Sequence, residues 1–333
     1  MKIGIVFYPN SGNLGDDVQT IAMMELVQRL VPKAEVELVD REKLNDPSLK
    51  ELDGVIVSGW FMDEPSNWPP NNENILFTSF HVNSQNGASE HLQSEDHVEF
   101  YKKHEPIGCR DFGTKERFDE IGVKAFVSGC ATLTLQRPKE ESEGHIVAVD
   151  PFQKVEKSEF FQRRQLSKLL SVEDQEKCIF LMNETGKLST KSVEQRFKNA
   201  HDYLTTLSRA RLVITSRIHA ALPSVALGVP TFFILAGYDR DKSHQDRFEG
   251  IITLFNVIEQ SKFRFLSRKR WSKLFRKTGL NWLLDKSDYR HVLKEAETNQ
   301  KPLPPTKALE YVSLIEGQVE QFLKATPGQE MKA

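Results

Sequence analysis

Residues 212–235 read LVITSRIHAALPSVALGVPTFFIL, and Arg217 and His219 stand where an apolar strand gives way to an apolar helix. Ile218, Ala221, Leu222, Val225 and Ala226 recur at helical spacing, so one face of that helix is expected to pack on a sheet. Thr215 or Ser216 is expected to cap it, and Gly228 followed by Pro230 to close it. Pro223 lacks the N–H that would reach the His219 carbonyl, so the helix should bend there or begin late. A cation at the positive end of a helix is unfavourable by itself and makes sense if a phosphate or carboxylate binds there. The same field favours a neutral imidazole suited to acid/base work. The alternative is an Arg217 paired with a carboxylate and a His219 satisfied in the core.

Three other places carry polar residues at the ends of apolar runs. In NSGNLGDDVQT, Asn13, Gly15 and Asp16 lie on the turn that opens the first helix. Glycine admits close approach to the backbone and the helix start favours anions, while Asp16 or Asp17 as a simple N-cap is the alternative. The stretch is neither a GxGxxG nor a P-loop. In GCRDFGTKERFDEIGV, Arg110 and Asp111 end a strand and form either a structural pair or half of an anion site. In FTSFHVNS, His81 follows a strand, where a histidine is structural or catalytic. No run of His, Cys, Asp and Glu has metal-ligand spacing, and neither a metal nor a cofactor is expected.

The elements that position these residues alternate. KIGIVFY, AEVELVD, DGVIVSG, ENILFTSF, EPIGCRD and VKAFVSG read as strands, then IVAVDPF, KCIFLMNE, ARLVITS and PTFFIL. Several are apolar throughout, as a parallel sheet covered on both faces requires. After the first strand, Val18, Ile21, Ala22, Leu26 and Leu30 mark a helix. The polar run RPKEESEGH at 137–145 divides the two series and reads as a linker. The expected fold is α/β, with two doubly wound domains facing a cleft and ligands at the carboxyl ends of the strands. The units are 1–137, 138–300 and a C-terminal helix and tail over 301–333. In that last helix Leu309, Val312, Ile315, Val319 and Leu323 share a face, and the tail from Thr326 is expected to fray.

At 333 residues the chain exceeds one comfortable core. A net charge of −2 gives no general case for nucleic acid, and none is expected as a partner. Cys109, Cys130 and Cys178 cannot all pair and read as the reduced thiols of a cytoplasmic protein. MKIGIVFYPN reads as a strand rather than a signal peptide, and no apolar run is long enough to cross a membrane. Residues 262–277, KFRFLSRKRWSKLFRK, contain eight Lys or Arg among sixteen. They read as a basic helix with Trp271, Leu274 and Phe275 on one side, ending at Gly279. It would either rest on an anionic membrane or pack on the second domain.

Taken together, SGNLGDD, IGCRDFGTKERFDEIGVKAFVSGCATLTL and LVITSRIHAALPSVALGVP resemble the polysaccharide pyruvyl transferase family in order and spacing, over most of residues 1–236. The resemblance implies a two-domain fold of the GT-B type. It implies transfer of the enolpyruvyl group of phosphoenolpyruvate onto two sugar hydroxyls, giving a cyclic ketal and phosphate. By the same resemblance Arg110, Arg217, Asn13 and Gly15 fall to donor binding, and His219, Asp16 and His81 to catalysis. The acceptor would be a sugar or lipid-linked oligosaccharide of a surface polysaccharide. SGWFMDE stands where many members have a glycine-rich turn, which bears on the shape of the acceptor site. Two other functions fit the same plan: a nucleotide-sugar glycosyltransferase and a non-catalytic binding protein.

Overall fold

The computed structural model describes every residue except 62–66, 83–93, 137–141, 156, 184–187, 239–247, 249, 264–286 and 327–333. Two all-parallel sheets carry the architecture. The first holds β1 (Lys2–Phe7), β2 (Glu35–Asp40), β3 (Gly54–Phe61), β4 (Ile75–Val82), β5 (Ile107–Cys109) and β6 (Ala125–Val127) in the order β2-β1-β3-β4-β5-β6. The second holds β7 (Ile146–Val149), β8 (Cys178–Leu181), β9 (Leu212–Thr215), β10 (Thr231–Ile234) and β11 (Asn256–Ile258) in the order β11-β10-β9-β7-β8. Around them run α1 (Leu14–Leu30), α2 (Glu95–Lys103), α3 (Phe112–Glu120), α4 (Glu159–Leu166), α5 (Val172–Glu176), α6 (Val193–Ser208), α7 (Ile218–Ala226), α8 (Arg290–Thr298) and α9 (Thr306–Ala325). Both sheets are doubly wound, as the alternating pattern predicts. Strand order reverses between β1 and β3 in one and between β7 and β9 in the other. Among the strands of the described residues, only β11, a three-residue edge strand, has no counterpart in the sequence reading.

The apolar runs are long because both sheet faces are covered. Ile3 and Ile5 of β1 and Val147 and Val149 of β7 point into one continuous core, which also takes in α1, α6 and part of α9. Alternate residues on β7, Ile146 and Ala148, point to the opposite core of the second sheet. The far face of the first sheet is covered by an aromatic cluster of Phe61, Trp68, Phe77, Phe80, Tyr101 and Phe118. Helix α1 therefore lies between the two sheets, and residues beyond its expected stripe, Met23 and Val27 among them, are buried too.

One polar contact crosses this shared core. Arg196 of α6 donates from Nε and Nη2 to the Asp17 carboxylate of α1, at 3.1 and 2.8 Å, and both side chains are excluded from solvent. Its Nη1 donates to the Pro9 carbonyl, and its guanidinium lies over the Phe7 ring. Burial pushes the Asp17 carboxyl up to about 6, against the pull of Arg196.

Helix α9 returns from the end of the chain to the first sheet. Thr78 donates to Gln318, and Asn74 donates to the Thr326 hydroxyl. Its buried stripe is Ala308, Tyr311, Ile315, Val319 and Leu323, whereas Leu309, expected inside, is half-exposed. The helix is rotated so that Tyr311 reaches the Gly250 carbonyl of the second half. Of the basic stretch 262–277, only Lys262 and Phe263 are described. Lys262 pairs with Glu295, and Phe263 is buried against Phe152 and Tyr289. The expected helix with Trp271, Leu274, Phe275 and Gly279 lies outside the described residues, as do 137–141 of the expected linker. Among the described residues no helix is long and apolar enough to cross a membrane.

Removing Arg196 leaves Asp17 buried without its counter-charge, so Arg196→Met should cost about 3–5 kcal/mol of stability. The lost partner raises the Asp17 pKa further. A carboxyl with a raised folded pKa loses stability as pH climbs from its unfolded value toward that folded value, since ionisation must then occur inside the protein. Urea unfolding should therefore show a wider gap between variant and parent at about pH 8 than at about pH 5. A gap that narrows with pH would contradict this account.

Candidate active site

A cavity of about 320 Å³ opens where the carboxyl ends of the two sheets meet, and it is built from both reversal points. After β1 come Asn13 and Asp16, and at the end of β3 comes Trp60. After β7 comes Lys154, and after β9 come Arg217, Ile218 and His219. Asn183, Tyr238 and Phe248 complete the described lining. Open α/β sheets bind ligands at such reversals, because the flanking loops there diverge to opposite faces and leave a crevice.

Arg217 sits where the strand-to-helix turn predicts, but the turn is built differently. Thr215 and Ser216 do not cap α7. Thr215 Oγ1 donates back to the Val149 carbonyl and accepts the Arg217 N–H, while Ser216 donates to the Asp150 carbonyl. Arg217 itself occupies the N-cap position without a side-chain cap. Pro223 lies inside the helix, and Gly228, at φ +73°, closes it as expected.

Asp150 is the residue beneath Arg217. It is fully buried, follows β7 and adopts φ +42°, a left-handed conformation unusual for a non-glycine residue. That turn aims its Oδ2 at Arg217 Nε, 3.0 Å away, and at the Asn183 N–H. The alternative kept open for Arg217, a carboxylate partner, is thus present. Arg217 lines the cavity nonetheless, and Asp150 fixes its direction. Lys154, four residues on, adds a second cation and lies 5.5 Å from the Tyr238 ring centre.

Opposite them, Asn13 caps α1 by accepting the Gly15 N–H, so neither Asp16 nor Asp17 is the cap. Asn13 also accepts from Asn183 across the two halves. Asp16 accepts from Ser11 and Gln19. Its pKa is raised by burial, against the Ser11 hydrogen bond and the charges of Arg41, Arg110 and Arg196. Gly15 has a steric task. A Cβ there would lie 2.4 Å from His219 Cβ and 2.8 Å from its Nδ1, so the group that approaches this backbone is the imidazole.

Arg110 and His81 lie behind the cavity rather than on it. Arg110 is fully buried, with Nε 3.4 Å from Asp111, and its Nη1 and Nη2 have no hydrogen-bond partner among the described residues. The donor-binding part that the resemblance implies for it would place it on the cavity wall. Instead its charge acts on Asp16 and Tyr8 from within the first half. His81 Nδ1 is 2.6 Å from Asp111, which also caps α3 through the Thr114 N–H. Burial alone would raise the Asp111 carboxyl, but the charges of His81 and Arg110 outweigh it and hold the group well below the usual carboxylate range. Among the described residues no three His, Cys, Asp or Glu cluster as a metal site would need.

Sequence reading missed Lys154, Asp150, Asn183 and the aromatic wall. Lys154 and Asp150 had a signal, since DPFQK follows a strand just as SRIH does. Asn183 and Tyr238 follow strands too, but nothing in their neighbourhood marks them.

Comparison with known proteins places these motifs. A family model described as Polysaccharide pyruvyl transferase matches residues 13–237. No curated protein matches the chain. Among solved structures the chain is similar to an uncharacterised protein of Klebsiella pneumoniae, at 14% identity over 73% of this chain and 86% of that one, TM-score 0.45. It is also similar to the UDP-GlcNAc 2-epimerase of Methanocaldococcus jannaschii, at 10% identity over 97% and 99%, TM-score 0.43. A third likeness is to the ADP-heptose heptosyltransferase II of E. coli, at 11% identity over 85% and 99%, TM-score 0.32.

The contact between Gly15 and His219 yields a direct test. Gly15→Ala should cost about 1–3 kcal/mol by overpacking and displace the imidazole. The displacement should appear as a shift of the His219 ring proton resonances in a protein that still unfolds cooperatively. Unmoved resonances would mean that the two helix starts do not touch.

Proposed function

Since the chain belongs to the polysaccharide pyruvyl transferase family and is a transferase, we propose that it moves the enolpyruvyl group of phosphoenolpyruvate onto two hydroxyls of one sugar in a surface-polysaccharide intermediate, releasing phosphate. The observation that carries the reading is the pairing of a cationic side, Arg217 and Lys154, with a carboxyl of raised pKa, Asp16, across one small cavity. A donor with two anionic groups and an alkene to be protonated requires that combination.

In this reading Arg217 and Lys154 hold the phosphate. Arg110, fully buried behind Asp16, contributes its charge rather than a contact with the donor. Asn13 and Gly15 shape the donor end, one by polar contact and the other by giving His219 its place. Asp16 delivers a proton to the methylene carbon. The first sugar hydroxyl attacks the neighbouring carbon as its proton passes to His219, which completes a tetrahedral phospho-ketal. Phosphate then leaves with the electrons of its C–O bond, and the second hydroxyl closes the ring. The proton of that second hydroxyl departs with phosphate, and the one on His219 restores Asp16. His81 takes a supporting part by holding Asp111 and, through it, Arg110.

Incubation with phosphoenolpyruvate and acceptor glycans should release phosphate and add roughly 70 Da per acceptor, the mass of one pyruvate ketal. Nucleotide sugars in parallel should release no nucleotide. Release of nucleotide instead would establish the glycosyltransferase alternative. His219→Ala should lower kcat about 10²–10⁴-fold with smaller change in donor affinity. Asp16 acts in its protonated form, so kcat/KM should fall as pH rises through its raised pKa. Asp16→Asn should lack that limb along with most of the activity. A limb that survives in Asp16→Asn would assign the proton to another group.

A further inference from the structure

The main chain of Trp60, a half-buried tryptophan at the edge of the cavity, is fixed by polar contacts on both sides. Its main-chain N–H donates to Tyr8 Oη at 3.1 Å, and its main-chain carbonyl accepts from Arg41 Nη1 at 3.0 Å. Tyr8 in turn donates to the Ser58 carbonyl. Gly59, between them, has φ +94°, and a Cβ there would lie 1.8 Å from Tyr8 Oη, so only glycine admits this path. The β3–β4 register shifts at the same point, which turns Trp60 relative to the strand before it. The Arg41 guanidinium lies 5.5 Å from the Trp60 ring centre and 4.8 Å from that of Tyr8. Arg41 does not line the cavity, whereas Trp60 does.

An aromatic surface with a cation against it, on the wall of a partly polar cavity, suits a ligand with one apolar face and hydroxyls at its edge. A pyranose ring is such a ligand, since its axial C–H bonds make a weakly positive face that lies well on an indole. The Arg41 charge that touches Trp60 also acts on Asp16. Asp16 lines the same cavity, so a ring stacked on Trp60 shares that space with the carboxyl that handles protons. Tyr238 and Phe248, packed edge to face with centres 4.6 Å apart, supply an apolar wall from the other half.

We propose that Trp60 is the acceptor platform, on which one pyranose ring stacks with its hydroxyl pair directed at Asp16. The assignment of that sugar as acceptor rests on the transferase reading above, whereas the stacking does not.

The test is saturation-transfer NMR with a panel of methyl pyranosides, in the presence of phosphoenolpyruvate, on the parent protein, Trp60→Phe and Trp60→Ala. The parent should saturate the C–H protons of at least one sugar. Trp60→Phe should retain that contact, and Trp60→Ala should bind about tenfold more weakly. Phosphoenolpyruvate affinity, measured by calorimetry, should be the same in all three. Equal sugar binding in Trp60→Ala, no saturation of any sugar by the parent, or loss of donor affinity alongside sugar affinity would each overturn the platform. Sugar bound through Trp60 without transfer of pyruvate to any acceptor would leave the platform standing and remove the transferase reading.

Discussion

Asp17 and Arg196 meet in the interior between two sheets, and each would be costly to bury alone. The pair forces α1 of the first half and α6 of the second into one register, because a shift of an ångström or two would leave a charge unsatisfied. Around it the apolar residues of β1, α1, β7, α6 and α9 form one core rather than two. The cavity above this core inherits its precision from that arrangement. Gly15 sits two residues before Asp17, and its missing side chain is the space His219 fills. Contacts across the halves, Leu14 N–H to the Asn183 carbonyl and Asn183 Nδ2 to Asn13, continue the same seam to the cavity wall.

The electrostatic arrangement follows from topology. Each sheet brings its reversal point to the seam, so residues far apart in sequence become two walls of one small space. Among the described residues that line it, cations outnumber carboxylates: Arg217 and Lys154 against Asp16. The surplus favours an anionic ligand. Burial, against the Ser11 hydrogen bond and the charges of Arg41, Arg110 and Arg196, leaves Asp16 with a higher pKa than an exposed aspartate would have. The left-handed turn at Asp150 is the local expense of directing Arg217.

Much of this was legible in the sequence, and the reasons differ by residue. Apolar runs announced both parallel sheets, since a strand covered on two faces has little choice of residue. Arg217 and His219 stood out because a cation at a helix start contradicts the helix dipole unless something compensates it. The compensation, Asp150, stayed hidden because it follows another strand and its role depends on one unusual backbone angle. The two aspartates of GDD could not be told apart by sequence, as one turns to the cavity and its neighbour to Arg196. Arg110 had the right type and the wrong expected place, since burial is decided by what packs over a strand end. The stripe of α9 was read correctly at Ile315, Val319 and Leu323 and one position off at its start, where Ala308 and Tyr311 are buried in place of Leu309 and Val312 and Tyr311 reaches across to Gly250.

The central claim is that the two reversal points together make one donor site. A crystal structure of the protein grown with phosphoenolpyruvate tests it most directly. The account predicts density for the donor between the halves, with its phosphate in contact with Arg217 and its methylene carbon facing Asp16. Donor density elsewhere on the protein, with this cavity empty, would contradict it.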